Sequence, residues 1–267
     1  LKSYNISLLI ASIAFKGRCI PFFFKAKFVS DIHNLKYLSE NEFIFKAINE
    51  IVQIIGEDKA KRYIFVADRQ FATFNIINYF KKHNLNFIFR CRKDINIKFS
   101  DGKRCKTGDL SKGKYIAEIF GDRYYLYISE PEDKQKEKMI IVSNISKVSS
   151  LHAIREYLKR FECEGMHKDL KNYLGLLFLN KKYFKKLNEE KINKYGLIFM
   201  MAYILGVWAG KIVKNNRLKN RYISKEDERS YFSLGQKIFR AIEIPKVIIR
   251  YFISSITNLL FVEELTN

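Results

Sequence analysis

The sequence predicts an α/β fold, and three observations carry that expectation. Residues 62–67 form a short apolar strand, 71–83 a helical stretch and 86–91 a second strand, which is the strand–helix–strand order of an α/β core. Ahead of this unit, two β-rich runs at 4–15 and 20–29 flank Gly17-Arg18 and predict a hairpin. Between hairpin and core, Phe43, Ile44, Ala47, Ile48, Ile51 and Ile55 recur at intervals of three and four. That spacing makes one face of a helix apolar, with Ser39 as its cap and Gly56 as its stop.

Beyond residue 92 the texture changes. Asp101-Gly102, Gly108, Gly113 and Gly121-Asp122 are turn residues that separate short β-rich runs such as 115–120 and 123–129. Residues 93–138 therefore read as a small antiparallel β-rich insertion. Strand character returns at 139–144, and the rest is mostly helical, with polar breaks near 188–194 and 215–228. The organisation expected is a first core part over 1–92, the insertion over 93–138, a second core part with following helices over 139–215, and a C-terminal helical tail over 216–267. No internal repeat or low-complexity linker interrupts it.

Composition narrows the class. With 48% hydrophobic residues in a chain of 267, a sizeable core is available and wholesale disorder is excluded. Lysine and arginine outnumber the acids 49 to 28, a formal charge of +21. Such a charge attracts polyanions over a Debye length of ~8 Å in physiological salt. Nucleic acid is the partner this favours, ahead of an anionic membrane face, although a Lys-, Asn- and Ile-rich compositional bias gives the same excess. Residues 81–114 hold eleven basic residues against three acids. They suit a DNA groove and a solvated hairpin edge equally well.

Other chemistries are poorly supported. Cys19, Cys91, Cys105 and Cys163 form no CxxC pair and read as free thiols of a reducing compartment. Cys163 and His167 stand one helical turn apart, but with no second pair in sequence they are expected to pack rather than share a metal. The apolar stretch 196–210 is shorter than the ~20 residues that span a bilayer, so a buried core helix is expected and no membrane. Gly108 to Lys114 reads Gly-x4-Gly-Lys, yet Tyr115 replaces the Ser or Thr of a phosphate-binding loop and a strand follows. There is no GxSxG elbow and no HExxH.

The candidate chemistry lies on a helix predicted over 154–172. On a wheel advancing ~100° per residue with Tyr157 at zero, Arg160 falls near ~−60°, Glu164 near ~−20° and Lys171 near ~−40°. Ile154, Leu158 and Phe161 fall at positive angles and are expected to bury the helix, while Glu162 points elsewhere. A carboxylate at Glu164 can hold Mg²⁺, Arg160 and Lys171 can hold phosphate oxygens, and Tyr157 offers a hydroxyl or a stacking face. An ordinary exposed face with i, i+4 ion pairs has the same spacing. Asp68 ends the 62–67 strand, where open α/β sheets present ligand-binding residues.

The pattern Tyr-x2-Arg-x3-Glu-x6-Lys, standing as Tyr157, Arg160, Glu164 and Lys171, resembles the signature of insertion-sequence DDE transposases. Phe65-Val66-Ala67-Asp68-Arg69-Gln70-Phe71 resembles the family's second-acid segment, with Gln70 where the family usually has Gly. Gly17-Arg18-Cys19-Ile20-Pro21 resembles its Gly-Arg-Ala-(Ile/Leu)-Pro segment, and 229–241 its C-terminal helical tail. The resemblance implies a ribonuclease H-like core with a β-rich insertion and a helical C-terminal part. It implies Asp68 and Glu164 as catalytic, metal-holding acids for Mg²⁺ or Mn²⁺, two ions in all, and Tyr157, Arg160 and Lys171 as DNA contacts. The implied partners are transposon ends and target DNA, with a homodimer on paired ends, in a bacterial-type cytoplasm in association with the nucleoid.

One departure stands out. The family has a first Asp on a strand upstream of the Gly-Arg segment, whereas Asp31 and Asp58, the only aspartates before Asp68, end no such strand. With Leu1 rather than Met at its start, the chain is expected to begin inside the fold, its first strand and Asp preceding Leu1. A DNA-binding remnant that cuts nothing is therefore the alternative to a cutting and joining enzyme.

Overall fold

The computed structural model describes residues 6–15, 18–28, 40–130, 137–172, 189–215 and 231–241. They divide between two compact units, Leu1–Met166 and His167–Asn267.

The first unit opens with the expected hairpin, β1 (Ile6–Ala14) against β2 (Cys19–Phe28), antiparallel. Its register shifts between Ala11 and Ser12, where Ser12 faces Pro21 and Ala11 faces Phe23. A bulge is where a strand tolerates a proline that cannot donate to the ladder. Helix α1 (Glu40–Ile55) buries Phe43, Ile44, Ala47, Ile48 and Ile51, the periodic face read from sequence. It stops at Gly56, whose φ of +85° favours glycine and lets a short helix α2 (Glu57–Ala60) follow at once.

Strand β3 (Ile64–Ala67), helix α3 (Phe74–Lys82) and strand β4 (Asn86–Arg90) then form the strand–helix–strand unit, β3 and β4 being parallel. The helix starts later than its pattern predicts, because Arg69–Phe71 forms a 3-10 turn first. Strands β5 (Asn96–Lys98), β6 (Arg104–Lys106), β7 (Gly113–Ile119), β8 (Asp122–Ser129) and β9 (Met139–Ser143) follow. All join one seven-stranded mixed sheet of order β3-β4-β9-β8-β7-β5-β6. The β-rich stretch 93–138 is thus antiparallel as expected, and it extends the core sheet through β8 and β9.

Alternation along the strands sorts the core into two faces. Phe87 and Phe89 of β4, Leu126 and Ile128 of β8, and Ile140 and Val142 of β9 pack with Ile44 and Ile48 of α1 and Ile76, Ile77 and Phe80 of α3. On the opposite face, Ile88, Tyr127 and Ile141 pack with Ala153 and Tyr157. Those last two belong to α4 (Ser150–Leu158), so helices cover both faces of the sheet. Full burial of each large apolar side chain contributes roughly 1.5–3 kcal/mol.

The helix predicted over 154–172 is two helices. Helix α4 begins at an N-cap Ser149, whose hydroxyl accepts from the His152 amide at 3.2 Å, and α5 (Phe161–Asn172) begins after a turn at Lys159 and Arg160. The packing face differs as well. Leu158 and Phe161, expected inside, are exposed at 41% and 42%, and Tyr157 at 0% is the buried residue.

In the second unit, helix α6 (Glu189–Asn215) packs on α7 (Tyr231–Ala241), with Tyr203 stacked on Phe232 at 5.0 Å between ring centroids. The polar residues 189–194, read as a break, form the first turns of α6. At 27 residues this helix is far longer than the apolar stretch 196–210 suggests. Among the described residues it is the one helix long and apolar enough, by length and composition, to cross a membrane, a test that a core helix of a soluble protein also passes. The predicted break at 215–228 lies almost entirely outside the described residues, and of the tail 229–241 the part 231–241 is helical.

Candidate functional site

Asp68 directly follows β3, at the carboxyl end of two parallel strands, the position where α/β sheets bind ligands. Its backbone is extended, and its Oδ1 accepts the Arg69 amide at 2.8 Å, capping the 3-10 turn. The cap fixes the carboxylate at the strand end and leaves the residue half-buried.

Tyr157 reaches Asp68 from the face of the sheet. Its ring is buried with Ile88, Tyr127 and Ile141, and its hydroxyl donates to Asp68 Oδ1 over a long 3.5 Å. Burial pushes the Tyr157 phenol up, the Asp68 charge adds to this, and the Arg160 and Arg90 guanidinium groups oppose it. The phenol therefore acts as a neutral donor and acceptor.

The turn between α4 and α5 sets the next link. The Arg160 amide bonds the Tyr157 carbonyl at 3.0 Å, an i−3 bond that tightens the chain. Residues three apart then eclipse, so Arg160 lies over Tyr157 rather than ~60° away on the wheel. Arg160 Nε donates to Tyr157 Oη at 3.2 Å, and Arg160 Nη2 donates to Glu164 Oε1 at 3.1 Å. The guanidinium also sits 4.6 Å above the Phe161 ring centroid. Burial alone would lower the Arg160 pKa, but Tyr157, Asp68 and Glu164 outweigh it and hold the charged form above its ordinary value.

The structure thus joins four of the five residues singled out from sequence into one hydrogen-bonded chain, Asp68–Tyr157–Arg160–Glu164. Lys171 is the one not brought in. It is exposed in the last turn of α5 and belongs to the second compact unit. Of the two roles expected of Tyr157, a hydroxyl donor or a stacking face, the buried ring leaves the hydroxyl, which is the part that reaches the site.

Residues that sequence reasoning passed over also shape the site. Arg90, at the end of β4 beside Asp68, approaches Glu137 at 3.4 Å, and Arg69 approaches the same carboxylate oxygen at 3.7 Å. A basic residue ending the parallel partner of the Asp68 strand was the signal available. Tyr127 donates to the Ile145 and Val148 carbonyls at 3.1 and 3.2 Å, and Lys114 donates to those of Ser146 and Val148. Those bonds hold the segment that leads into α4.

The site's capacity for a cation rests on Asp68 and Glu164. Each keeps one carboxylate oxygen outside the hydrogen-bonded chain. Hard oxygens of this kind suit Mg²⁺ or Mn²⁺, and Mg²⁺ typically binds through one or two carboxylates with water and substrate phosphate completing its shell. The donor type fits; the number is two. Among the described residues, no three His, Cys, Asp or Glu side chains gather into a metal-binding group. Asp58 is exposed at α2 beside Lys61 and adds no third acid to this pair, and Asp31 lies outside the described residues.

The basic stretch 81–114 is partly accounted for. Arg90, Arg92, Lys98 and Lys81 pair with Glu137, Asp94, Glu118 and Asp122. Lys103 and Arg104, exposed around the edge strand β6, and Lys112, exposed just before β7, make no ion pair with the described residues. Comparison with known proteins adds no assignment: no family model and no curated protein matches this chain.

Proposed function

We propose that this chain is the catalytic part of a DDE-type DNA transposase, with a ribonuclease H-like core, that cleaves transposon ends and joins them to target DNA. The observation that carries this reading is the hydrogen-bonded chain Asp68–Tyr157–Arg160–Glu164 at the end of β3. Residues far apart in sequence, selected by a family-like pattern, meet at one sheet end. The state of β3 supports the same reading. All four of its residues are apolar, none is buried, and among the described strands it pairs with β4 alone. Phe65 of β3 nevertheless packs into the same cluster as Leu9 and Ala11 of the hairpin.

Asp68 and Glu164 would hold the metal, Mg²⁺ or Mn²⁺, two ions in the full acid set. Bound there, the metal supplies activation of the attacking oxygen and neutralisation of charge on the phosphate. Arg160 orients Glu164 and brings a fixed positive charge to the place a phosphate would occupy. Tyr157 fixes Arg160 from the core, and Lys171 would contact DNA further along α5. In this reading the protein acts on paired ends as a dimer, in the cytoplasm and associated with the nucleoid. A second reading, a DNA-binding remnant that does not cut, is favoured by the exposed cations Lys103 and Arg104 at the edge strand β6.

Mn²⁺ titration followed by electron paramagnetic resonance, with duplex DNA binding by fluorescence anisotropy, tests the assignment. Wild type is expected to bind Mn²⁺ and DNA, and D68N and E164Q to lose the metal while keeping DNA affinity within about twofold. Unchanged Mn²⁺ binding in both variants would sink the site. Metal binding with no Mg²⁺-dependent nicking of supercoiled DNA would select the remnant.

A further inference from the structure

Four cysteines without regular spacing predict four separate thiols, but the fold brings two together. Cys19, the first residue of β2, and Cys163, in the first turn of α5, stand 144 residues apart with their Sγ atoms 2.8 Å from one another. A disulfide bond is ~2.05 Å long, so under ~1 Å of approach separates contact from bond. Both belong to the first compact unit. Ser12 of β1 closes the cluster, its Oγ 3.2 Å from Cys163 Sγ. Cys19 is buried and Cys163 half-buried, so one thiol can be reached from solvent while its neighbour waits behind it. Cys91 and Cys105 form no comparable pair.

We propose that Cys19 and Cys163 form a reversible disulfide that ties the β1–β2 hairpin to the helix carrying Glu164. In a reducing compartment both remain thiols. Hydrogen peroxide oxidises the Cys163 thiol to a sulfenic acid, its O–O bond breaking with release of one water. The Cys19 thiol then attacks that sulfur, displaces the hydroxyl as a second water, and forms the S–S bond. The two thiols give up two electrons and two protons, and the peroxide is reduced to two waters. A thiol reductant reverses the step by exchange. Nothing in this chemistry depends on how the Asp68–Glu164 site is read.

Closing a loop this long removes freedom chiefly from the unfolded chain, so the oxidised protein gains thermal stability. The bond also holds the first turn of α5 against the hairpin, one residue before Glu164.

The test oxidises the full chain under native conditions with hydrogen peroxide, alkylates the remaining thiols, and maps the peptides by mass spectrometry. The expected results are a loss of about 2 Da against the reduced protein, one linked peptide pair containing Cys19 and Cys163, and alkylated Cys91 and Cys105. Dithiothreitol restores four alkylatable thiols, the melting temperature rises by several degrees on oxidation, and C163S shows neither change while C91S shows both. Sulfinic acid at Cys163 with Cys19 still alkylatable overturns the proposal, as does a map in which Cys19 links to Cys91 or Cys105. The wild-type map decides by itself, whether or not the variants fold.

Discussion

The hydroxyl of Tyr157, a side chain with no exposed surface, points at Oδ1 of Asp68 from 3.5 Å and accepts the Nε–H of Arg160 at 3.2 Å. Tyr157 is therefore a core residue whose polar end supports the site. Two substitutions separate these roles. Tyr157→Phe keeps the ring and removes one strained-length donor and one acceptor, so urea denaturation should show a loss of about 0.5–1.5 kcal/mol. Tyr157→Ala should cost about 3–5 kcal/mol through the cavity it leaves. Equal and negligible losses would return Tyr157 to the surface.

Arg160 bridges Tyr157 and Glu164 with two different nitrogens, which a lysine cannot do. Arg160→Lys preserves the charge but not the bridge. It should lower stability by about 1 kcal/mol and weaken duplex DNA binding several-fold at low salt, as read by anisotropy. If Arg160→Lys matches wild type in both, the charge alone matters and the chain of bonds does not.

Lys171 makes a narrower claim. If it contacts a phosphate, Lys171→Ala should lower the slope of log K against log salt by about 0.9. Anisotropy titrations at four salt concentrations measure that slope, and an unchanged value would make Lys171 an ordinary solvated residue on α5.

How much of this was legible in sequence depends on the range of the interaction involved. Helix α1 was legible because Phe43, Ile44, Ala47, Ile48 and Ile51 repeat with the helical period and Gly56 stops it at φ +85°. Asp68 was legible because a short apolar strand ends on it. The break at Lys159 and Arg160 was not, since no glycine or proline marks it and both residues suit a helix. The wheel also misplaced the buried face, putting Leu158 and Phe161 inside where Tyr157 belongs: Phe161 lies past the break, and within α4 the sheet takes Ala153 and Tyr157 instead of Leu158. Neither the merging of 93–138 with the core sheet nor the meeting of Cys19 with Cys163 has a local signal. Both arise from pairing across long stretches of chain.

The segment leading into α4 offers a prediction about positioning. Tyr127 is fully buried and holds the carbonyls of Ile145 and Val148, the second shared with Lys114. Tyr127→Phe leaves the Ile145 carbonyl without its donor, a cost of about 1–3 kcal/mol. Hydrogen exchange should show the faster opening first at the amides of α4, beginning with His152, whose partner is the Ser149 cap. Uniform acceleration across the sheet would mean that Tyr127 serves the core generally and not the approach to the site.

Two glycines test whether close packing or conformational cost governs the helices. A Cβ on Gly235 of α7 would lie 1.9 Å from the Gly206 carbonyl oxygen of α6, closer than any real contact, and backbone cannot yield as a flexible side chain does. Gly235→Ala should therefore drive α6 and α7 apart and destabilise by at least about 1–3 kcal/mol, the usual range for overpacking. Gly165, inside α5, meets nothing within 4 Å of an added Cβ. Gly165→Ala should stabilise by about 0.5–1 kcal/mol, because alanine loses less backbone freedom in a helix. Thermal unfolding of the two variants should move in opposite directions. A stabilised Gly235→Ala would show that α6 and α7 do not approach at Gly235 as the structure has them, and a destabilised Gly165→Ala that the added Cβ in α5 is not free of contacts.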